Sequence, residues 1–450
     1  MLPNKKRSLI ALTALPLLLG GFLVARSFTS AESRHTGSLR TRLQTFLTAS
    51  RAGIGGSGGN QGQDSISPEV LYEEILQAVK SKYVEENINE ARLSNNALNR
   101  MFASLDDPKT NYLDLRLRQM RQESLQGKFA GIGAMLQYTK LKKGSVDHRN
   151  LTVVAVMPNS PAEKAGLQTG DNITGIEGRW VITYPISADI EELVKDKDLT
   201  DAQKREAAKK IVERYRTGFT LPKALLQLST GEGKTLKVKI ERLGATSEME
   251  VTTGATTVEP VETKQLENGI TYLRVRQFNA FATTAFQKAL ENLSDAKALV
   301  LDLRQNAGGV SSEASTGVDG FQSAKRLIAT IAGTANAKLE RKPNQSEALT
   351  IGEGTGKFKG SCVVLVDKGT ANLAELVAVA LQEAKKAKII GTRTFGDPTL
   401  QLLTIFKNGT GVEMTTAHFM GASGQKWLNG IQPDIVTTEP LEKAVSTLGG

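Results

Sequence analysis

The side chains that could do chemistry gather at two strand-to-helix junctions in the second half of the chain. One junction is Asp302-Leu303-Arg304-Gln305-Asn306-Ala307-Gly308-Gly309, an apolar strand running into a polar turn that ends in paired glycines. Such a turn lets the backbone approach a ligand and can offer amide N–H groups to a developing oxyanion, although a tight connection without a ligand would use the same glycines. The other junction is Asp367-Lys368-Gly369-Thr370-Ala371-Asn372-Leu373-Ala374-Glu375. Residues 370 to 373 fall at a predicted helix N-terminus, whose partial positive charge favours a nucleophile or an anion. Metal chemistry has little to work with. His35, His148 and His418 lie far apart and Cys362 is the single cysteine, which argues against a disulfide, a cysteine-rich zinc site or a histidine cluster. No metal or cofactor is expected, and Cys362 reads as a buried core residue. Asp106-Asp107-Pro108 reads as a cap and turn rather than a cation site.

The hydrophobic pattern predicts the elements that position these junctions. Strands at 270–275, 298–303, 362–366 and 388–390 alternate with a helix at 284–293 and a helical segment that begins near 370–373 and runs to 387, and a hairpin at 402–420 turns at Asn408-Gly409; this is the pattern of an α/β core. Upstream lie a glycine-punctuated loop at 127–136, a strand at 151–157, a short helix opened by Ser160-Pro161, a turn at Gly170-Asp171 and a closing strand at 236–242. A charged, helical-looking stretch containing 198–216 interrupts this block. Folded structure is predicted to start where Ser67 caps a helix with Pro68 in its first turn and Val70, Leu71, Ile75, Val79 and Tyr83 on one face, and a second helix is read at 95–105.

At 450 residues, 40% hydrophobic and 23% charged, the chain fits two or three globular domains and not a collagen-like, disordered or many-pass membrane protein. Its net charge of +10 could suggest nucleic acid, but residues 1–66 hold eight basic residues against Glu32 and Asp64. Most of the excess therefore lies outside the folded body, and no nucleic-acid partner is expected. Lys5-Lys6-Arg7, the apolar stretch 9–25 and Thr29-Ser30-Ala31 read as an export signal or a retained anchor, which places the folded body outside the cytoplasm. The glycine-rich run 53–59 reads as a tether. The expected organisation is a signal or anchor at 1–31, a linker at 32–66, a helical segment at 67–126, a β-domain at 127–242 with an insertion at about 183–221, an α/β core at 243–440 and a tail at 441–450.

The loop Gly131-Ile132-Gly133-Ala134, succeeded in order by Ser160-Pro161-Ala162, Ala165-Gly166-Leu167 and Gly170-Asp171, resembles a PDZ domain. The resemblance implies that Gly131, Ile132 and Gly133 present N–H groups to the terminal carboxylate of a peptide that adds a strand to the sheet. Polypeptide C-termini or partner proteins are then the expected ligands. With Ser104-Leu105-Asp106-Asp107-Pro108, Gly308-Gly309, Thr394-Phe395-Gly396 and Gly430-Ile431-Gln432-Pro433-Asp434, residues 67 to 440 resemble a carboxy-terminal processing protease. That family's fold is α+β and multidomain: a helical N-terminal segment and a PDZ β-domain inserted before an α/β peptidase core of ββα, crotonase-like type. Its members use a serine nucleophile, a lysine kept neutral by burial as base, and backbone amides for the oxyanion, here matched to Gly308 and Gly309.

Carried over position by position, the resemblance exposes a departure. With Glu375 as anchor, the nucleophile position is Asn372; the base position after Phe395-Gly396 is Asp397; Gln401 matches the glutamine that orients the lysine. An asparagine amide is not a nucleophile, and an ionised aspartate cannot imitate a neutral lysine. Thr370 and Thr399 each lie two residues away, too far for a simple substitution where about 1 Å of misplacement is costly. A hydrogen bond between Asn372 and Asp397 is expected instead. The leading expectation is an exported pseudoprotease that binds tails or partners. The alternatives are an active peptidase with a non-standard nucleophile, and a small-molecule or lipid binder in the vacated cleft.

Overall fold

A computed structural model describes residues 67–84, 87–105, 107–143, 146–278, 282–312, 320–354 and 356–449. The expected export signal and tether lie outside these residues. The chain divides into a unit ending at Glu90 and a unit from Ala91 onward. In the first, helix α1 (Pro68–Lys82) starts as the sequence predicts, with Ser67 Oγ accepting from the Val70 amide and Pro68 in the first turn, and it buries none of its side chains. Among the described residues no helix is long and apolar enough to cross a membrane.

Helix α2 (Glu90–Ala103) leads into the second unit. The segment expected to be helical then contributes a strand, β1 (Asn111–Leu113), which pairs antiparallel with Gly411, Val412 and Glu413. Helix α3 (Leu115–Leu125), capped by Asp114, is pinned beside it by the paired hydrogen bonds of Arg121 to Glu413 at 3.0 and 2.7 Å.

The PDZ-like domain comes next in the chain, with β2 (Lys128–Phe129), β3 (Ala134–Lys143), β4 (Val146–Val156), α4 (Pro161–Lys164), β5 (Asn172–Ile176) and β6 (Arg179–Trp180). Helices α5 (Ile186–Lys195), α6 (Asp201–Thr217) and α7 (Leu221–Leu228) lead on to β7 (Thr235–Arg242), β8 (Ala245–Thr252) and β9 (Thr256–Thr257). The sheet order is β3-β4-β5-β7-β8, so β3 is an edge strand. Alternating Leu151 and Val153, Leu236, Val238 and Ile240 fill its core. The boundary read at 242 falls inside this sheet: Leu243 and Gly244, both at positive φ, turn β7 straight into β8, and β2 pairs with β9 beyond it. The insertion forms α5 and α6. Arg214 fastens it, ion-paired to Asp189 with its guanidinium carbon 4.5 Å from the centroid of Trp180.

The core has two sheets. In the first, β11 (Ile270–Val275), β12 (Ala298–Asp302), β16 (Ser361–Val366), β17 (Ala387–Gly391) and β20 (Ile435–Val436) run parallel, with β10 (Val261–Gln265) antiparallel at one edge. Helices α8 (Ala282–Glu291), α9 (Gly320–Ala332) and α10 (Leu373–Glu383) cover one face, where Leu299, Leu301 and Val364 meet Leu327, Ile328, Val377 and Leu381. Val300, Val363 and Leu365 face the other way, onto Ala444 of helix α11 (Pro440–Gly449). Residues 441–449, expected as a tail, therefore form a packed helix, because their apolar spacing matches that sheet face. The second sheet orders as β13-β18-β19-β14-β15, from β13 (Ser311–Ser312), β14 (Ala335–Lys342), β15 (Gln345–Gly352), β18 (Thr399–Ile405) and β19 (Gly411–Gly421), with β1 on β19. The first junction leaves β12, and the second leaves the neighbouring parallel strand β16, which brings the two turns side by side.

Candidate functional site

Asn372 stands at the N-terminus of α10 with φ 54° and ψ −120°, a conformation outside the ordinary regions for a side-chain-bearing residue. Its surroundings hold that geometry. The Asn372 amide donates to Glu375 Oε2 at 3.1 Å, and its Nδ2 donates to the Thr399 carbonyl at 2.5 Å. The glycine turn closes on it from the other junction. A Cβ on Gly308 would lie 2.6 Å from Asn372 Cβ and 2.9 Å from both Asn372 Oδ1 and the Leu373 nitrogen, and Gly308 adopts φ +86°. Only glycine fits there. The Gly308 amide is engaged by Asn306 Oδ1 at 2.8 Å, whereas Gly309 lines the cleft beside Asn372. As the first residue of α10, Leu373 has an amide that the helix leaves without an internal acceptor.

Asp397 is 2% exposed. Its Oδ1 is ion-paired to Lys109 and accepts from Thr399 Oγ1 at 2.6 Å and the Thr399 amide at 3.2 Å; its Oδ2 accepts from Gln137 Nε2 at 3.1 Å. Burial works to raise its pKa, but Lys109 and these hydrogen bonds outweigh burial and hold the carboxyl below the usual aspartate range. The expected hydrogen bond between Asn372 and Asp397 does not form. Both side chains turn to Thr399, one to its carbonyl and one to its hydroxyl, because Lys109 and Gln137 already claim the carboxylate.

Glu375, fully buried, connects the two positions. It accepts from the Asn372 and Asp397 amides and, on its other oxygen, from Thr394 Oγ1 at 2.5 Å and the Gly396 amide at 2.7 Å. Burial pushes its carboxyl up to about 7 against those donors. Thr394 also receives the Ile431 amide at 2.7 Å, so the Gly430-Ile431 motif serves to brace this turn. Gln401 donates to Thr399 Oγ1 and Thr415 Oγ1, while its buried Oε1 has no hydrogen-bond partner among the described residues.

A cleft of about 200 Å³ runs past Asn372, Asp397, Gln401 and Gly309 to the PDZ-like domain, where Leu136, Tyr138, Pro222 and Leu225 line it. Thr370 and Thr399 do not line it, and neither does any residue of α5 or α6. Thr370 is fully buried, donating to the Leu303 carbonyl at 2.9 Å. Gly131, Ile132 and Gly133 are buried and do not line the cleft, although their neighbours Ala130 and Ala134 do, and the Ile132 amide donates to the Leu228 carbonyl at 2.8 Å.

Residues 269–437 match the model of peptidase family S41, and residues 152–198 match a PDZ-domain model. The chain thus carries a PDZ domain followed by a peptidase family S41 domain. The carboxy-terminal processing protease CtpA of Bacillus subtilis is 26% identical over 411 residues, covering 90% of this chain and 76% of that protein. The carboxyl-terminal-processing protease of Synechocystis is 28% identical over 377 residues, covering 81% of this chain and 75% of that one. The solved structure of the photosystem II D1 C-terminal processing protease aligns over 86% of this chain and 98% of that chain with a TM-score of 0.58 at 23% identity, which shows a common fold. The family and its order, a PDZ domain ahead of an S41 domain, stand as the motifs implied.

Sequence reasoning missed Lys109, Gln137 and the bridging role of Glu375. Lys109 directly follows the Asp107-Pro108 turn. Asp107 fastens that turn by accepting from the Lys109 amide at 3.0 Å and Thr110 Oγ1 at 2.6 Å, so the cap-and-turn reading of this aspartate fits its geometry. The available signal was a lysine beside a turn motif together with an aspartate at the position where the resemblance implies a buried lysine. Nothing in the spacing joined them.

Proposed function

We propose that this S41 protein is an exported pseudoprotease whose PDZ domain binds polypeptide C-termini or partner proteins. The observation that carries the reading is that Asp397, at the position matched to the base, is tied into an ion pair with Lys109 while Asn372 stands at the position matched to the nucleophile, at the N-terminus of α10. Hydrolysis needs a nucleophile in the cleft and a base to take its proton. The nearby hydroxyls do not meet that need: Thr370 is turned into backbone, and Thr399 donates to a carboxylate held below its usual range, which makes a poor base. The orphaned Gln401 Oε1 is what a missing lysine donor would leave behind. Peptide binding draws its support from the PDZ domain itself and from the open edge of β3 beside α7. A terminal carboxylate at Gly131-Ile132-Gly133 would use the glycine amides, since that of Ile132 is engaged. Export rests on the N-terminal basic and apolar pattern.

The test is cleavage of unfolded casein by the purified protein beside Asn372→Ser/Asp397→Lys, with and without Lys109→Met to remove the ammonium the new lysine would face. A silent wild type is expected, and turnover by the wild type would overturn the reading. Tail peptides with a free carboxylate should bind, and their amidated counterparts should not.

A further inference from the structure

We propose that Asp397 has become a positioning residue for the PDZ domain: with Lys109 it forms a latch that holds the peptide-receiving strand β3, through Gln137, against the vacated catalytic cleft. Asp397 collects groups from three separate parts of the chain. Lys109 comes from the turn before β1, Gln137 from β3, and Thr399 from β18. Strand β3 has one neighbour, β4, and its other edge is unpaired among the described residues. Such a strand is held by half the ladder bonds of an internal one, so a side-chain tie matters more to its position. The pleat separates the two duties. Leu136 and Tyr138 pack onto the PDZ core, and Gln137 between them points to the opposite face, where it meets Asp397.

The latch depends on the ion pair. Lys109 neutralises a carboxylate that is almost wholly out of water, and Asp107 aims the lysine by bonding its amide. A buried carboxylate that loses its cation draws in water or a proton, and either change weakens its hold on Gln137. A second tie lies nearby, where Gln305 Oε1 of the core accepts from the Val156 amide at 3.2 Å and from Thr169 Oγ1 at 2.8 Å. That tie fixes β4 at Val156, opposite Ala134 where β3 begins, while Gln137 is the side chain by which β3 itself is gripped.

The latch rests on the peptide-binding reading only for its effect on affinity, and its primary test needs no peptide. Hydrogen–deuterium exchange on the full chain would follow the β3 amides, with the α10 amides as an internal reference. Lys109→Met and Gln137→Met should each speed β3 exchange about ten-fold, the scale of one hydrogen bond to a charged group, and leave α10 unchanged. Gln137→Met severs the tie without disturbing the ion pair, so it reads the latch even where Lys109→Met perturbs folding. The reversed pair Lys109→Asp/Asp397→Lys should bring β3 back toward the wild-type rate. Exchange within two-fold of wild type in Gln137→Met, or a reversed pair no slower than Lys109→Met, would overturn the latch. A mixed-sequence library of free-carboxylate decapeptides supplies the second arm. Affinities should fall in step with β3 protection; a wild type that binds none of the peptides while Gln137→Met still loosens β3 would sink the peptide reading and leave the latch standing.

Discussion

Asn372 keeps a backbone shape that costs about 1–3 kcal/mol for a non-glycine residue, although it has no hydroxyl to present. Glu375 helps to hold that shape, and its own chemistry gives a test. An acid whose folded pKa lies above its unfolded value binds more protons when folded. Its contribution to stability is therefore complete below about 4.5 and is lost as the pH rises through about 7. Unfolding free energy measured by denaturant should fall between pH 5 and pH 8 by this route. Glu375→Gln should flatten that slope and destabilise the protein by about 1–3 kcal/mol, because its –NH2 would face donors where an oxygen now accepts. Asp397 runs in the opposite sense: its folded pKa is depressed below 3.8, so its contribution is present above that value and lost on acidification through the depressed pKa. Thr370→Ala should cost about 1 kcal/mol by removing one of the donors to the Leu303 carbonyl and the hydroxyl that accepts from the Asp367 amide, and should change no activity, since the hydroxyl is turned away from the cleft. A change in peptide binding or hydrolysis in that variant would count against the assignment.

Among the elements, the turn 394–397 shows how a motif can be legible while its reason is not. Thr394-Phe395-Gly396 was recognisable as a motif, but only the packing explains the glycine: at φ +97° its added Cβ would meet the Leu428 carbonyl oxygen at 2.6 Å and the Gly430 nitrogen at 2.7 Å. Gly396→Ala should lower stability by about 1–3 kcal/mol or more, seen as a lower denaturant midpoint at unchanged slope. Strands β12 and β16 were legible because they are nearly continuous apolar runs bounded by polar turns, and β11 because it is rich in β-branched and aromatic residues, Ile270, Thr271, Tyr272 and Val275. The β7–β8 hairpin was not, because its turn is Leu243-Gly244, without the Asn-Gly or Asp-Gly signature. β1 was hidden in a segment of helical character, and its three residues become a strand only by pairing with β19. The insertion α5–α6 packs on Trp180 through Arg214 and stays off the cleft lining.

At the scale of the whole molecule, the S41 core and the PDZ domain share one cleft, and side chains from both sides close the seam. If Gln305 is one of the ties, Gln305→Ala should leave the core intact and speed thermolysin cutting between Thr252 and Val261 several-fold, because the Val156 amide and the Thr169 hydroxyl lose their acceptor. Unchanged digestion would remove Gln305 from the seam. The family resemblance, the order of the domains and the residues standing where that resemblance puts a nucleophile and a base were legible in the chain alone, because these are local: a motif, its spacing and the residue standing in it. The tertiary structure decided what those residues do now. A buried Asp397 must find a cation and a buried Glu375 must find donors, and that demand comes from residue type and burial alone. Which groups answer it depends on folding. Lys109, Gln137 and Asp397 lie far apart along the chain and meet only once three elements have packed together, and no periodicity or spacing encodes such a contact.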